Sequence, residues 1–161
     1  MTAGNRMNRC LVPWTRGPQA GPMTDQLWRR DPDSSTRTTP RPYIRAFVPR
    51  GGLDDAIAFY ERLQGVEVDL RTPYPEKGLD IATVGAFLLV EGTEEILEPF
   101  RATHGTLLVA DLGVYEERLV AQGAEIVDAR IDVPTGAGLT ARHPDGTIVE
   151  YVHHRPQPHE R

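Results

Sequence analysis

One stretch of this sequence is written twice. Leu53-Asp54-Asp55-Ala56-Ile57-Ala58-Phe59-Tyr60-Glu61-Arg62-Leu63-Gln64-Gly65-Val66-Glu67-Val68 is echoed by Leu112-Gly113-Val114-Tyr115-Glu116-Glu117-Arg118-Leu119-Val120-Ala121-Gln122-Gly123-Ala124-Glu125-Ile126, at an offset of 58 to 59 residues. Both copies start at a Leu and end in Gln-Gly, a small apolar residue, Glu and a β-branched residue. Between those ends apolar residues recur three and four apart, cleanly at Leu53, Ile57, Tyr60 and Leu63 and less so around Tyr115 and Leu119. That spacing predicts an amphipathic helix in each copy. Gly65 and Gly123 fall where a left-handed residue ends a helix at little cost. Two copies are a pair, not a solenoid, which needs three or more units. A unit of about 58 residues buries little core alone, so the two must share one.

Short runs rich in Val, Leu, Ile and Phe surround each helix and read as strands. Tyr43–Pro49 and His104–Ala110 precede the helices, and Val66–Arg71 and Glu125–Arg130 follow them. Then come Asp80–Val84 and Gly138–Arg142, and last Ala86–Glu91 and Thr147–Val152. The final pair in the second copy is joined by His143-Pro144-Asp145-Gly146. Proline there sets the first central position of a type I turn, and glycine supplies the positive φ that returns the chain antiparallel. Each copy is therefore β-α-β-β-β, and the pair is an α+β fold with modules at 43–92 and 104–155. Glu94-Glu95-Ile96-Leu97-Glu98-Pro99-Phe100 reads as a short acidic helix between them, ended at Pro99.

Apolar residues make up 39% and charged residues 25%, enough for a shared core. No run approaches the roughly 20 apolar residues of a membrane-spanning helix. The single cysteine, Cys10, excludes a disulfide framework or a multi-cysteine zinc site. The net charge of −5 argues against a nucleic-acid binder. Residues 1–42 depart from the rest, with seven Arg against three Asp and six of the 14 prolines. Without a sustained apolar period, this segment is predicted to be a disordered or weakly ordered tail, and residues 156–161 read as a C-terminal tail. It has no apolar run of signal-peptide length, and Met23 offers a second start. Trp14 and Trp28 are the residues in it best able to dock on a domain.

Ala58-Phe59-Tyr60-Glu61-Arg62 in the first helix, Arg142-His143-Pro144-Asp145-Gly146-Thr147-Ile148-Val149-Glu150-Tyr151 near the C-terminus, and the paired β-α-β-β-β units resemble the vicinal oxygen chelate superfamily. That group includes glyoxalase I, the bleomycin-resistance proteins, extradiol dioxygenases, fosfomycin-resistance enzymes and methylmalonyl-CoA epimerase. The resemblance spans residues 43–155. It implies two modules forming curved mixed sheets around a shared, cup-shaped cavity, and a homodimer. The motifs mark the scaffold and not the reaction.

In metal-dependent members of that superfamily each module gives one ligand from its first strand and one from its last. The resemblance places His104, in His104-Gly105-Thr106-Leu107-Leu108-Val109-Ala110-Asp111-Leu112, and Glu150, seven residues after His143, on the second module's two positions. Imidazole with carboxylate suits a divalent Zn, Fe, Mn or Ni. The first module departs from the pattern. No histidine precedes His104, so the usual four-ligand set with two histidines cannot form. The helix offset of 59 carries His104 onto Arg45, and a shift of two carries it onto Tyr43. Arginine binds no metal. The same offset carries Glu150 onto Glu91, but a one-residue slip would turn that side chain to the other face of the sheet. An inward Glu91 makes His104, Glu150 and Glu91 a three-ligand metal set. An outward Glu91 leaves Arg45 as the partner of Glu150.

His153, His154 and His159 read as solvated residues of a polar end, and His143 as a solvent-facing turn residue. Thr83, Thr140, Arg142 and Tyr151 lie on strands whose parity leaves their face open. No Gly-rich phosphate loop precedes a helix, and no Gly-x-Ser-x-Gly occurs. Two function classes stand. The first is a glyoxalase- or bleomycin-resistance-like protein that binds a small oxygenated molecule through Arg45, His104 and Glu150, without the four-ligand metal site. The second is a metal-dependent lyase, isomerase or dioxygenase, with a divalent metal on His104, Glu150 and Glu91 and with Glu150 moving a proton. The acidic balance favours cationic ligands. The expected partner is a small molecule, with no nucleic acid and no membrane, in a cytoplasmic homodimer.

Overall fold

Helices form where the repeat predicts them. Helix α1 (Leu53–Gln64) carries Asp54 and Asp55 in its first turn and Arg62 in its last, each sign matched to the helix dipole. It ends at Gly65, whose φ of 67° is the left-handed stop expected there. The linker forms a short helix α2 (Glu94–Leu97) that tightens into a 3-10 turn over Glu98–Phe100, where Pro99 has no amide to continue it. Helix α3 (Leu112–Ala121) is capped by Asp111, whose side chain accepts from the amides of Gly113 and Val114. Those two bonds hold the Asp111 carboxyl below the usual carboxylate range.

The structure, a computed structural model, describes residues 27–161. Its nine strands form one mixed, curled sheet. They are β1 (Trp28–Arg29), β2 (Arg41–Pro49), β3 (Val68–Tyr74), β4 (Leu79–Val84), β5 (Phe87–Gly92), β6 (Gly105–Leu108), β7 (Glu125–Val133), β8 (Gly136–Arg142) and β9 (Ile148–His154). The order is β1-β3-β4-β5-β2-β6-β9-β8-β7. The modules meet at the antiparallel pair β2–β6, with Tyr43 opposite Thr106. Each first strand also runs parallel to its module's last strand, β2 beside β5 and β6 beside β9.

The helices pack on one face of this sheet. Leu53 and Ile57 of α1 bury against Val48, Ala82, Val84 and Leu89. Leu112 of α3 buries with Val109 against Ala137, Leu139, Ala141 and Tyr151. Removing such side chains from water is the main stabilising term, about 2 kcal/mol for each Leu or Ile. The other face is concave. Its first-module half is covered by the linker, where Leu97 packs on Leu79 and Val90.

Residues 1–26 of the predicted tail, with Cys10, Trp14 and Met23, lie outside the described residues. From residue 27 onward the expectation of a tail without structure is corrected. Trp28 and Arg29 pair with Arg71 and Leu70 of β3. The Arg29 side chain, 1% exposed, holds Glu160 through two bonds of 2.8 Å and donates to the carbonyls of Thr135 and Arg155. Ser34 is buried, donating to the Val109 carbonyl and accepting from the His154 amide. Residues 156–161, read as a C-terminal tail, contain a turn, Pro158–Glu160, closed by Gln157. Composition missed the arm because polar and charge-assisted hydrogen bonds hold it, and these leave no apolar period in a sequence.

Candidate functional site

The two ends of the sheet's last strands show how the modules correspond. Glu91 on β5 accepts from the amides of Gly51 (2.6 Å) and Leu53 (3.1 Å) at the start of α1. His153 on β9 accepts through Nδ1 from the amide of Leu112 (3.3 Å) at the start of α3. Glu91 and His153 are therefore equivalent, which makes Leu88 the counterpart of Glu150. On the first strands, Val48 lies opposite Glu91, and the Val109 amide bonds to β9 at Val152. That register makes Arg45 the counterpart of Thr106 and Tyr43 the counterpart of His104.

Two sequence expectations are corrected by this register. Arg45 does not occupy the position equivalent to His104; Tyr43 does. The loop Pro49-Arg50-Gly51-Gly52 before α1 is two residues longer than Ala110-Asp111 before α3, so an offset measured on the helices fails on the strands. Glu91 is buried on the helix side of the sheet, with a partial salt contact to Arg50 at 3.8 Å, and does not face the cavity.

Arg45, Thr106 and Glu150 come together on the concave face. Arg45 Nη2 donates to Glu150 Oε2 at 2.8 Å and its Nε donates to Thr106 Oγ1 at 3.1 Å. Thr106 passes its own hydrogen to the same Glu150 oxygen at 2.9 Å. The Arg45 side chain is 6% exposed and that of Glu150 is 28% exposed, so the guanidinium lies beneath and the carboxylate faces free space. Thr106 and Glu150 sit directly opposite each other on β6 and β9, and Thr140 follows Glu150 in register on β8.

Thr106 and Glu150 border a cavity of about 80 Å³ between the modules. Its wall is largely apolar, with Leu70, Leu88, Leu108 and Val152, and is interrupted by the polar residues Tyr43, Thr83 and Thr135. It opens past Thr72, Tyr74, Val133 and Pro134 into a groove of about 860 Å³ bordered by Glu76 and Asp132. Burial pushes the Tyr43 phenol up, and burial with the charges of Glu76 and Glu150 does the same to Tyr74. Both phenols are therefore hydrogen-bond donors at neutral pH.

Each remaining residue has a definite place. His104 is exposed just before β6, where its Nδ1 accepts from the Ile148 amide at 3.1 Å, and Thr106 takes the place beside Glu150 that sequence gave to His104. His153 and His154, expected in solvent, are 7% and 9% exposed. β9 runs two residues past the predicted end, carrying His153 to the start of α3 and His154 under the arm. The His154 imidazole is pushed down to about 4 by burial, then by Arg29 and Arg41. His143, also expected in solvent, lies 2.7 Å from the Tyr151 hydroxyl through Nε2. Tyr151 faces α3, Thr83 faces the cavity, and Arg142 makes an exposed contact with Glu125. Sequence reasoning missed Thr106, Tyr74, Thr135 and His154 as cavity residues. Thr106 alone carried a signal, two residues from His104 on the same strand face.

The three donors nominated for a metal do not converge, since Glu91 lies across the sheet from Glu150 and His104 is engaged at the strand end. Among the described residues no three His, Cys, Asp or Glu stand together as a metal would need.

No family model and no curated protein matches the sequence. Solved structures do. An uncharacterised protein from Methanosarcina mazei is 38% identical with a TM-score of 0.65, over 71% of this chain and 91% of that one. Methylmalonyl-CoA epimerase from Mycobacterium tuberculosis, a vicinal oxygen chelate protein, is 19% identical with a TM-score of 0.52, over 70% of this chain and 87% of that one. The chain has the vicinal oxygen chelate fold and belongs to the family of the Methanosarcina mazei protein. Streptomyces coelicolor methylmalonyl-CoA epimerase, solved with 2-nitronate-propionyl-CoA, shares the fold at 18% identity and a TM-score of 0.52, over 73% of this chain and all of that one. Within this vicinal oxygen chelate fold, the concave face presents an arginine–carboxylate pair and hydroxyls.

Proposed function

We propose that this protein binds a small oxygenated molecule in the cup between its modules, with Glu150 and Thr106 as contacts and Arg45 as the group that positions both. The observation that carries this reading is the Arg45–Thr106–Glu150 cluster on the floor of an otherwise apolar, partly enclosed cavity. Apolar walls with a few convergent polar groups are the usual make-up of a small-molecule site. An ion pair placed there for stability alone gains little, because desolvating both charges offsets most of their attraction.

A thermal-shift screen of small hydroxy, keto and amide compounds tests the proposal. Compounds that raise the Tm of the native chain should lose that effect in Glu150→Gln and Thr106→Val. A full panel without a shift, or shifts that persist in both variants, would remove the reading. The homodimer belongs to the same proposal, and sedimentation showing only a 17.9 kDa species would remove it.

A further inference from the structure

We infer that the molecule held in this cup is uncharged, gives a hydrogen to Glu150 and exchanges hydrogen bonds with Tyr43, Thr83 and Thr135. The inference rests on the binding reading above and narrows its ligand class.

The charge balance of the cavity comes first. Glu150 is the one carboxylate in the wall, and Arg45 beside it, at 2.8 Å, already matches its charge. Glu76 and Asp132 are exposed and belong to the outer groove. An anion entering the cup meets Glu150, and a cation meets a carboxylate whose attraction Arg45 has cancelled. Either would be desolvated without a counter-charge, which buried sites do not tolerate. His154, at the same wall, adds no charge at neutral pH, since burial and two arginines hold its imidazole neutral.

The hydrogen-bond balance comes second and excludes an apolar occupant. Glu150 Oε2 has two donors, Arg45 and Thr106, while Oε1 has no protein donor among the described residues. A carboxylate only accepts, so whatever meets Oε1 must carry an O–H or N–H. Tyr43 is 6% exposed, Thr83 5% and Thr135 9%. Their side chains line the cavity and show no protein hydrogen bond, and since Arg37 Nε is the one buried side-chain polar atom without a partner among the described residues, the three hydroxyls reach open space. An occupant that displaces water from them must offer hydrogen bonds in return. Three such hydroxyls and a free carboxylate oxygen around one small space call for a neutral molecule bearing both donors and acceptors, such as a hydroxy-amide or a polyol fragment. Part of it can extend into the outer groove.

Three probes of similar size separate the charge classes: glycolamide (neutral), glycolate (anion) and ethanolammonium (cation). Each is titrated into the isotope-labelled full chain, and the amide shifts of Thr83, Thr106 and Glu150 are followed. Glycolamide should bind at least tenfold more tightly than either ion. Thr83→Val should weaken it several-fold with the rest of the spectrum unchanged. Glu150→Gln leaves Arg45 unmatched and should reverse the order, so that glycolate binds more tightly than glycolamide. If either ion matches glycolamide at the same amides of the native chain, the uncharged-ligand inference falls and the cup remains a binding site. If none of the three probes moves a cavity amide, and the wider screen shows no Glu150-dependent shift, both inference and binding reading fall together.

Discussion

At the foot of α1 the last strand of the first module offers Glu91 to two helix amides, and at the foot of α3 the last strand of the second offers His153 to one. One residue further on, the first module has Gly92 and the second has His154. A Cβ at Gly92 would stand 3.2 Å from a Leu97 methyl, so the glycine makes room for the linker, while His154 lies beneath the N-terminal arm. Three residues back from the helix-capping residues, Leu88 answers Glu150. The backbone and the task of capping a helix are thus common to both modules. What lies on the concave face is not. The cavity's polar cluster takes Arg45 from one module and Thr106 and Glu150 from the other, so neither module holds the site alone.

The largest effects should come from removing what covers each half. Leu97→Ala is expected to cost about 3–4 kcal/mol in a denaturant titration, through lost burial and a cavity. Arg29→Ala should cost about 3 kcal/mol, near the low end for a broken buried pair, because the Glu160 side chain is already 13% exposed and can turn into water. Only the second change should open the arm to hydrogen exchange at the Arg30 and Ser34 amides, which bond to Asp69 and His154. Equal exposure of the arm in both variants would erase the distinction between the two covers.

Next in size is a pH effect confined to the second module. The His154 pKa is about 4 in the folded protein against 6.5 for the free side chain. Below 6.5 the unfolded chain takes up a proton that the folded one refuses. Stability therefore falls as pH drops from 6.5 to 4, by about 3 kcal/mol in total, and this group adds no loss below that window. His154→Gln should flatten the profile there. An unchanged slope would mean that the imidazole is not buried neutral.

The smallest effects test the shared cap. Glu91→Ala leaves the Gly51 and Leu53 amides without their acceptor and should cost about 2 kcal/mol. His153→Ala loses one longer, uncharged bond and should cost about 1 kcal/mol. Equal costs would show that charge contributes nothing at that position.

The fold was readable because its determinants are local: apolar spacing in α1, Gly65 and Gly123 after the helices, and the Pro144-Asp145-Gly146 turn. The site was less readable because it depends on register. Leu53 and Leu112 are 59 residues apart, but Glu91 and His153 are 62 apart. The difference arises in the turn before β9, where five residues separate Arg142 from Ile148 against two between Val84 and Phe87, a lengthening that helix spacing does not record. Arg45 could be named from sequence as the partner of Glu150, since a carboxylate among Val149, Tyr151 and Val152 needs a cation nearby. The arm, held by Arg29 and Ser34 through contacts more than 70 residues apart, left no local trace.

That clasp also orders events in time. Arg29 and Glu160 are separated by 131 residues, and a chain is made from its N-terminus at about 5–20 residues per second. The arm therefore emerges long before the carboxylate that holds it. Both modules can pair their strands and bury their helices in the meantime. Seating of Arg29 must wait until Glu160 has been made, and it closes a loop of 131 residues. A truncation a few residues before Glu160 would leave both cores intact and take the latch from an arm at the opposite end of the sequence.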